Sequence, residues 1–302
     1  MSSKLWGGRF KKRIDPDFEK FSASLQWDHR LLPYDLAVGK AHVRALKKCG
    51  VLSPAEAKKM LSAFAFLDSR YQRGKIRIPS GEEDVHSAVQ SLLRSRVGAL
   101  ADKLHTGRSR NDLVAQSSRL YCKAHGQTII ALVDELRKAF VAKAEQTQDV
   151  LVPGMTHLQN AQILSQAHIF LAYVEMLTRT RAGFEEAVKL SDVCVLGSGA
   201  LAGITFNLDQ KGIAKELGLF SVTTNSYDVS GDRDFALRLL STIFYGSLQL
   251  SRIAEDLMIG QTRGFGLVEF DQSFCTGSSM MPQKKKRGFC GAFAGSFWRF
   301  RG

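Results

Sequence analysis

The chain has 302 residues, 44% of them hydrophobic and 24% charged, and a formal net charge of +13. These proportions exclude a chain disordered throughout and leave room for a substantial core and two domains. There is no apolar run of about 18 residues, and MSSKLWGGRFKKR at the N-terminus lacks the apolar core of a signal peptide, so no membrane span is expected and the cytoplasm is the expected compartment.

The first hundred residues are short helical segments broken by turn residues, which suggests a small helical N-terminal domain over residues 1–108. Within it, Ser53-Pro54-Ala55-Glu56 combines an N-cap serine, proline at the first helical position and glutamate at the third, predicting a helix over 54–72. From Ser109 to about Thr147, the positions Val114, Leu120, Tyr121, Ile129, Leu132, Val133, Leu136, Phe140 and Val141 recur at helical rather than alternating spacing. Such a helix is roughly 55–60 Å long. Similar runs occupy about 162–190 and 232–262, and the segment between them, 191–231, reads as an irregular connection containing GSGALAG at Gly197–Gly203. The expected fold is therefore all-α, with a central bundle of long helices over 109–284. The five cysteines are far apart with no C-x-x-C pairing, so neither a zinc site nor a disulfide framework is expected.

Three polar clusters lie at the expected helix boundaries. Thr106-Gly107-Arg108-Ser109-Arg110-Asn111-Asp112 opens the longest helix, Pro153-Gly154-Met155-Thr156-His157-Leu158-Gln159 is expected to open the next, and GSSMMPQKK spans Gly277–Lys285. Helix N-termini offer free N–H groups and a positive dipole end to anions. Each cluster alone has a structural explanation, as caps, a turn or solvated lysines. Together they describe a site that grips carboxylates with Arg, Asn, Thr, Ser and Lys, and moves protons with His157 and a serine. The motif-bearing ends of helices this long need not meet within one chain, so the natural solution for a single site built from all three is an oligomer.

On these residues the sequence resembles the fumarase/aspartase superfamily. GSSMMPQKK is similar to its shared loop, and WGGRF at Trp6–Phe10, FSASLQWD at Phe21–Asp28, LHTGRSRND at Leu104–Asp112 and PGMTHLQNAQ at Pro153–Gln162 narrow the likeness to the argininosuccinate lyase and delta-crystallin family. The resemblance runs from about residue 4 to Lys285. It implies cleavage of argininosuccinate to arginine and fumarate, a homotetramer with sites shared between subunits, and neither metal nor organic cofactor. His157 and Ser278 would be the acid–base pair, in an order the sequence leaves open. Ser24, Asn111, Thr156 and Lys284 would contact substrate, with Ser109 and Arg110 lining the site.

Beyond Lys285 the resemblance stops. Residues 285–302 contain no acid but four Phe, one Trp and five Lys or Arg, an altered basic and aromatic tail that supplies five of the thirteen net positive charges. The family's Asn-Pro and histidine-orienting glutamate are not found there, so low activity or solubility is expected of the chain as written. With the tail set aside, no basic and aromatic stripe suggests a nucleic-acid partner. A catalytically silent homologue of the same fold, a related fumarate-releasing enzyme such as adenylosuccinate lyase, and a dinucleotide fold at Val193–Ala202 (G-x-G-x-x-A) are the alternatives.

Overall fold

Ser53 accepts the Glu56 N–H on its Oγ at 3.2 Å, and the Glu56 carboxylate accepts the Ser53 N–H at 2.9 Å, a reciprocal capping box with Pro54 as the first helical residue. The helix it starts, α4 (Pro54–Gln72), has the bounds the sequence predicts. In this computed structural model residues 14–79 and 81–271 are described, together with 273, 276–277 and 285–286. Ser278 and Lys284, the WGGRF motif and most of the basic tail lie outside the described residues.

The chain divides into two compact units, Met1–Ala124 with Val188–Ala236, and His125–Ala187 with Leu237–Gly302. In the first, α1 (Pro16–Ser22) and α2 (Leu25–Asp28) precede α3 (Leu32–Lys48), α4 and α5 (Val85–Val97). Their core gathers Leu36, Val43, Leu46, Met60, Phe64 and Leu93, each fully buried. The long helix α6 (Arg110–Gln146) begins here, capped by its own Asp112. Two tiny strands, β3 (Val193–Cys194) and β4 (Ser221–Val222), pair in parallel, and α8 (Gln210–Glu216) and α9 (Ser226–Gly231) complete the unit. No helix follows Gly197–Gly203 directly; turns lead on to α8, so the dinucleotide alternative is excluded.

The second unit holds the later part of α6, then α7 (Gln166–Ser191) and α10 (Asp234–Gly260) over most of their lengths. Phe140, Phe170 and Tyr173 meet in its core, with Phe140 and Phe170 stacked at 6.0 Å and Tyr173 edge-on to Phe140 at 5.3 Å. Aromatic pairs of this geometry add to what their burial contributes.

One expectation is corrected. PGMTHLQ does not open a helix; it lies in an antiparallel hairpin of β1 (Leu151–Thr156) and β2 (Gln159–Ser165), and α7 starts only at Gln166. Ile163 and Leu164 continue the helical spacing backwards but sit on β2. The register shifts between Pro153 and Met155, and at Gly154 a Cβ would come within 2.8 Å of the Gln162 carbonyl oxygen, so the close approach of the strands requires glycine. Short strand pairs β1–β2, β3–β4 and β5 (Thr276–Gly277) with β6 (Lys285–Lys286) decorate an otherwise all-α architecture. Among the described residues no helix is long and apolar enough to cross a membrane.

Candidate active site

In the first unit the site residues are arranged around one acidic segment. Ser24, which precedes α2, donates its N–H to the Glu83 carbonyl at 2.9 Å and its hydroxyl to Asp28 at 2.6 Å. Asp28 in turn accepts the Val85 N–H at 3.1 Å. Arg110 reaches the same segment, pairing with Asp84 and donating to the Ser87 hydroxyl at 3.1 Å. Asp84 is also the N-cap of α5, taking the Ser87 N–H at 2.8 Å. One carboxylate therefore serves two helix starts, and the Arg110 charge is partly neutralised within the protein.

Ser109 and Asn111 flank Arg110. The Ser109 hydroxyl accepts the Asn111 N–H at 3.3 Å, and the exposed Asn111 side chain donates to the Ala200 carbonyl in the glycine loop at 3.0 Å. Behind them lies a buried polar network. Asp35 accepts from His86 at 2.8 Å and from the Ser117 hydroxyl at 3.1 Å. Burial opposes ionisation of Asp35, but the adjoining His86 and Arg108 charges outweigh it and hold the carboxyl below its ordinary range. Burial likewise works against a charged His86, and Asp35 overcomes it, raising the imidazole. Burial lowers Arg108 despite Asp35 and Asp112. Burial, reinforced by the Arg108 charge, drives His42 down to about 3 and His105 to about 4, so both are neutral near pH 7. Asp112 is pushed up to about 6 by burial, against the pull of three backbone N–H donors.

Thr156 and His157 belong to the second unit. Thr156 pairs with Gln159, leaving His157 and Leu158 as a two-residue hairpin loop with φ of 53° and 61°. Positive φ at both central residues is the type I′ turn, whose twist suits a hairpin but which usually recruits Asn and Gly. A histidine and a leucine there cost on the order of 1 kcal/mol each. The turn presents His157 at the exposed tip. A cavity of about 450 Å³ opens beside it, with Leu158, Gln166, Tyr173, Asp256 and Phe265 among its walls.

The structure thus gathers Ser24, Ser109, Arg110 and Asn111 in one unit, joining Ser24 and Arg110 through residues 83–87, and places Thr156 and His157 in the other. Asp112 caps its own helix and has a second task that the sequence does not show, accepting the amides of Gly197 and Gly199. Nothing along the chain announces that pairing, since Gly197 and Gly199 lie 85 and 87 residues from Asp112. Among the described residues no group of three or more His, Cys, Asp or Glu is placed to hold a metal ion.

Comparison with known proteins agrees with this architecture. The family model described as "Lyase" matches residues 8–286. Argininosuccinate lyase of Desulforudis audaxviator is 43% identical over 284 residues, 94% of this chain and 62% of the relative, and that of Geobacillus sp. strain WCH70 is 42% identical over 93% and 61%. The chain thus spans about 62% of the length of the curated relatives it matches. Among solved structures, an EDDS lyase in complex with formate superposes with a TM-score of 0.83 at 27% identity, covering 95% of this chain and 56% of that one. A class II fumarase from Schistosoma mansoni, 18% identical with a TM-score of 0.72 over 89% and 65% of the two chains, shares the fold. The matched model covers nearly all of the chain, and the strained hairpin and the start of α6 both fall within it: the chain belongs to the lyase family, its sequence kinship there being with the argininosuccinate lyases.

Proposed function

We propose that the chain carries the machinery for cleaving argininosuccinate to arginine and fumarate. A base removes a proton from the succinyl carbon next to the one bearing nitrogen. The electron pair becomes the double bond of fumarate, the carbon–nitrogen bond breaks, and an acid protonates the departing guanidino nitrogen. His157 and Ser278 are the pair proposed for these transfers. Ser24, Ser109, Arg110, Asn111, Thr156 and Lys284 are proposed to hold the carboxylates and the aci-carboxylate that develops between the two steps. The observation that carries this reading is the hairpin tip, where backbone strain is spent on presenting His157 beside Thr156. The named relatives supply the substrate, since they are argininosuccinate lyases at 42–43% identity. A helical domain over 1–108, a bundle over 109–284, assembly as a homotetramer with shared sites and residence in the cytoplasm belong to the same proposal.

Adding argininosuccinate to the protein and following the ultraviolet absorbance of fumarate tests it. Steady fumarate release that falls at least 100-fold in His157→Asn is the expected result. Folded protein that releases none overturns it. A catalytically silent homologue is then the better reading, one favoured by the pairing of Arg110 with Asp84.

A further inference from the structure

The Asp112 carboxylate is fully buried, and its two oxygens do different things. Oδ1 accepts the Ser109 N–H at 2.9 Å, which is ordinary capping of its own helix. Oδ2 accepts the N–H groups of Gly197 and Gly199 at 3.2 and 3.0 Å, from a loop more than 80 residues further along the chain. A cap alone needs no such reach. The loop it captures is shaped for the purpose, since Gly199 has φ of 61° and a Cβ there would lie 2.6 Å from the Gly203 carbonyl oxygen. Ser226 fastens the loop from its far side by donating to the Leu201 carbonyl at 2.9 Å. Between these two attachments the Ala200 carbonyl accepts the Asn111 side-chain amide.

We propose that Asp112 is a positioning residue for Asn111: it ties the glycine loop to the first turn of α6, and the loop fixes the orientation of the Asn111 amide. An exposed asparagine otherwise samples several rotamers, and each must be given up when a ligand binds. Held by one N–H, the amide offers its remaining hydrogen and its oxygen in a single arrangement. Arg108 faces the carboxylate from the segment before α6, and together with the three N–H donors it offsets part of the cost of burying the charge. The inference rests on the reading of Asn111 as a substrate contact only for its effect on affinity; the anchoring itself stands apart from that reading.

Asp112→Asn is the test, because an amide cannot accept on both sides and must release either the helix amide or the loop amides. In the wild-type chain the Asn111 side-chain NH2 is expected to give dispersed NMR signals, and in Asp112→Asn signals at free-asparagine shifts, while amide exchange in α3 and α4 is unchanged. Titration with argininosuccinate should show affinity about 10-fold weaker in Asp112→Asn, but within about twofold of the single variant when the change is made in Asn111→Ala. Equal loss in both backgrounds, or an unmoved Asn111 signal, overturns the proposal. If Asp112→Asn does not fold, Ser226→Ala loosens the same loop from the other side. It should shift the Asn111 signal and weaken binding about threefold, again through Asn111 alone; an unshifted signal counts against the proposal. A wild-type chain that binds no argininosuccinate sinks the substrate assignment, and the NMR signal still decides the anchoring.

Discussion

The two units differ in what they bury alongside their apolar cores. The first hides several of its charges: Asp35, His86, Asp112 and Arg119 are almost wholly buried, and Arg119 pairs with Asp232 beneath the ring of Phe235. The second hides aromatic rings and leaves its charges on the surface, where Asp134 meets Arg137 at 2.7 Å and Arg181 at 2.9 Å. Solvent replaces a lost partner on a surface, whereas a buried group left alone keeps its full desolvation cost. The first unit thus adds specified buried pairings to its apolar packing, whereas the second rests on packing with its ion pairs outside.

The largest expected effect follows from that difference. Asp35→Ala leaves the His86 N–H and the Ser117 hydroxyl without their acceptor and takes from Arg108 one of its two neighbouring carboxylates, and should cost about 3–5 kcal/mol in urea unfolding. A loss under about 1 kcal/mol would mean the network is no more than a surface pair in disguise.

Acid sharpens the comparison next. His42 and His105 titrate near 3 and 4 in the folded chain and near 6.5 when unfolded, so their contribution to stability is whole above pH 6.5 and is lost as the pH falls toward those values. Asp35, held low, adds to the loss below its unfolded value. Asp112, raised to about 6, acts in reverse: its contribution is complete below its unfolded value and lost as the pH rises through 6. The raised His86 has the same sign as Asp112. Together the downward displacements of His42 and His105 exceed the upward one of Asp112 and set the direction. Hydrogen exchange, corrected for its intrinsic pH dependence, should therefore show α3 opening between pH 6 and 4 while the Phe140–Phe170 region of α6 and α7 stays protected. Simultaneous opening of both would erase the distinction.

The smallest effect is expected at Arg181→Ala, which removes pairs with Asp134 and Glu185 on the second unit's surface. Its urea midpoint should be indistinguishable from that of the parent chain. A clear shift would show that this surface network is stabilised beyond ordinary exposed pairs.

Local signals made α4, α6 and α10 legible, because a capping box and helical apolar spacing act over a few residues. The start of α7 is hidden for the same reason: Ile163 and Leu164 fit the helical period, and a turn made of His157 and Leu158 carries no glycine or asparagine to announce it. Ser24, Arg110 and Asn111 were legible as candidates from their motifs. Their partners were not, since Asp35 meets His86 across 51 residues and Ser117 across 82, and no pattern along the chain encodes such pairings. Arg110 shows the limit most clearly: its motif suggested a grip on substrate, and Asp84 already holds it.

The hairpin tip carries a consequence for anyone improving this protein. An Asn-Gly pair at 157 and 158 would relieve the turn and stiffen the strands on either side. Screening for thermal resistance would accordingly reward changes at His157, the very side chain proposed to handle a proton. Robustness and turnover are opposed at this one turn, and an engineered lineage selected for the first would drift away from the second.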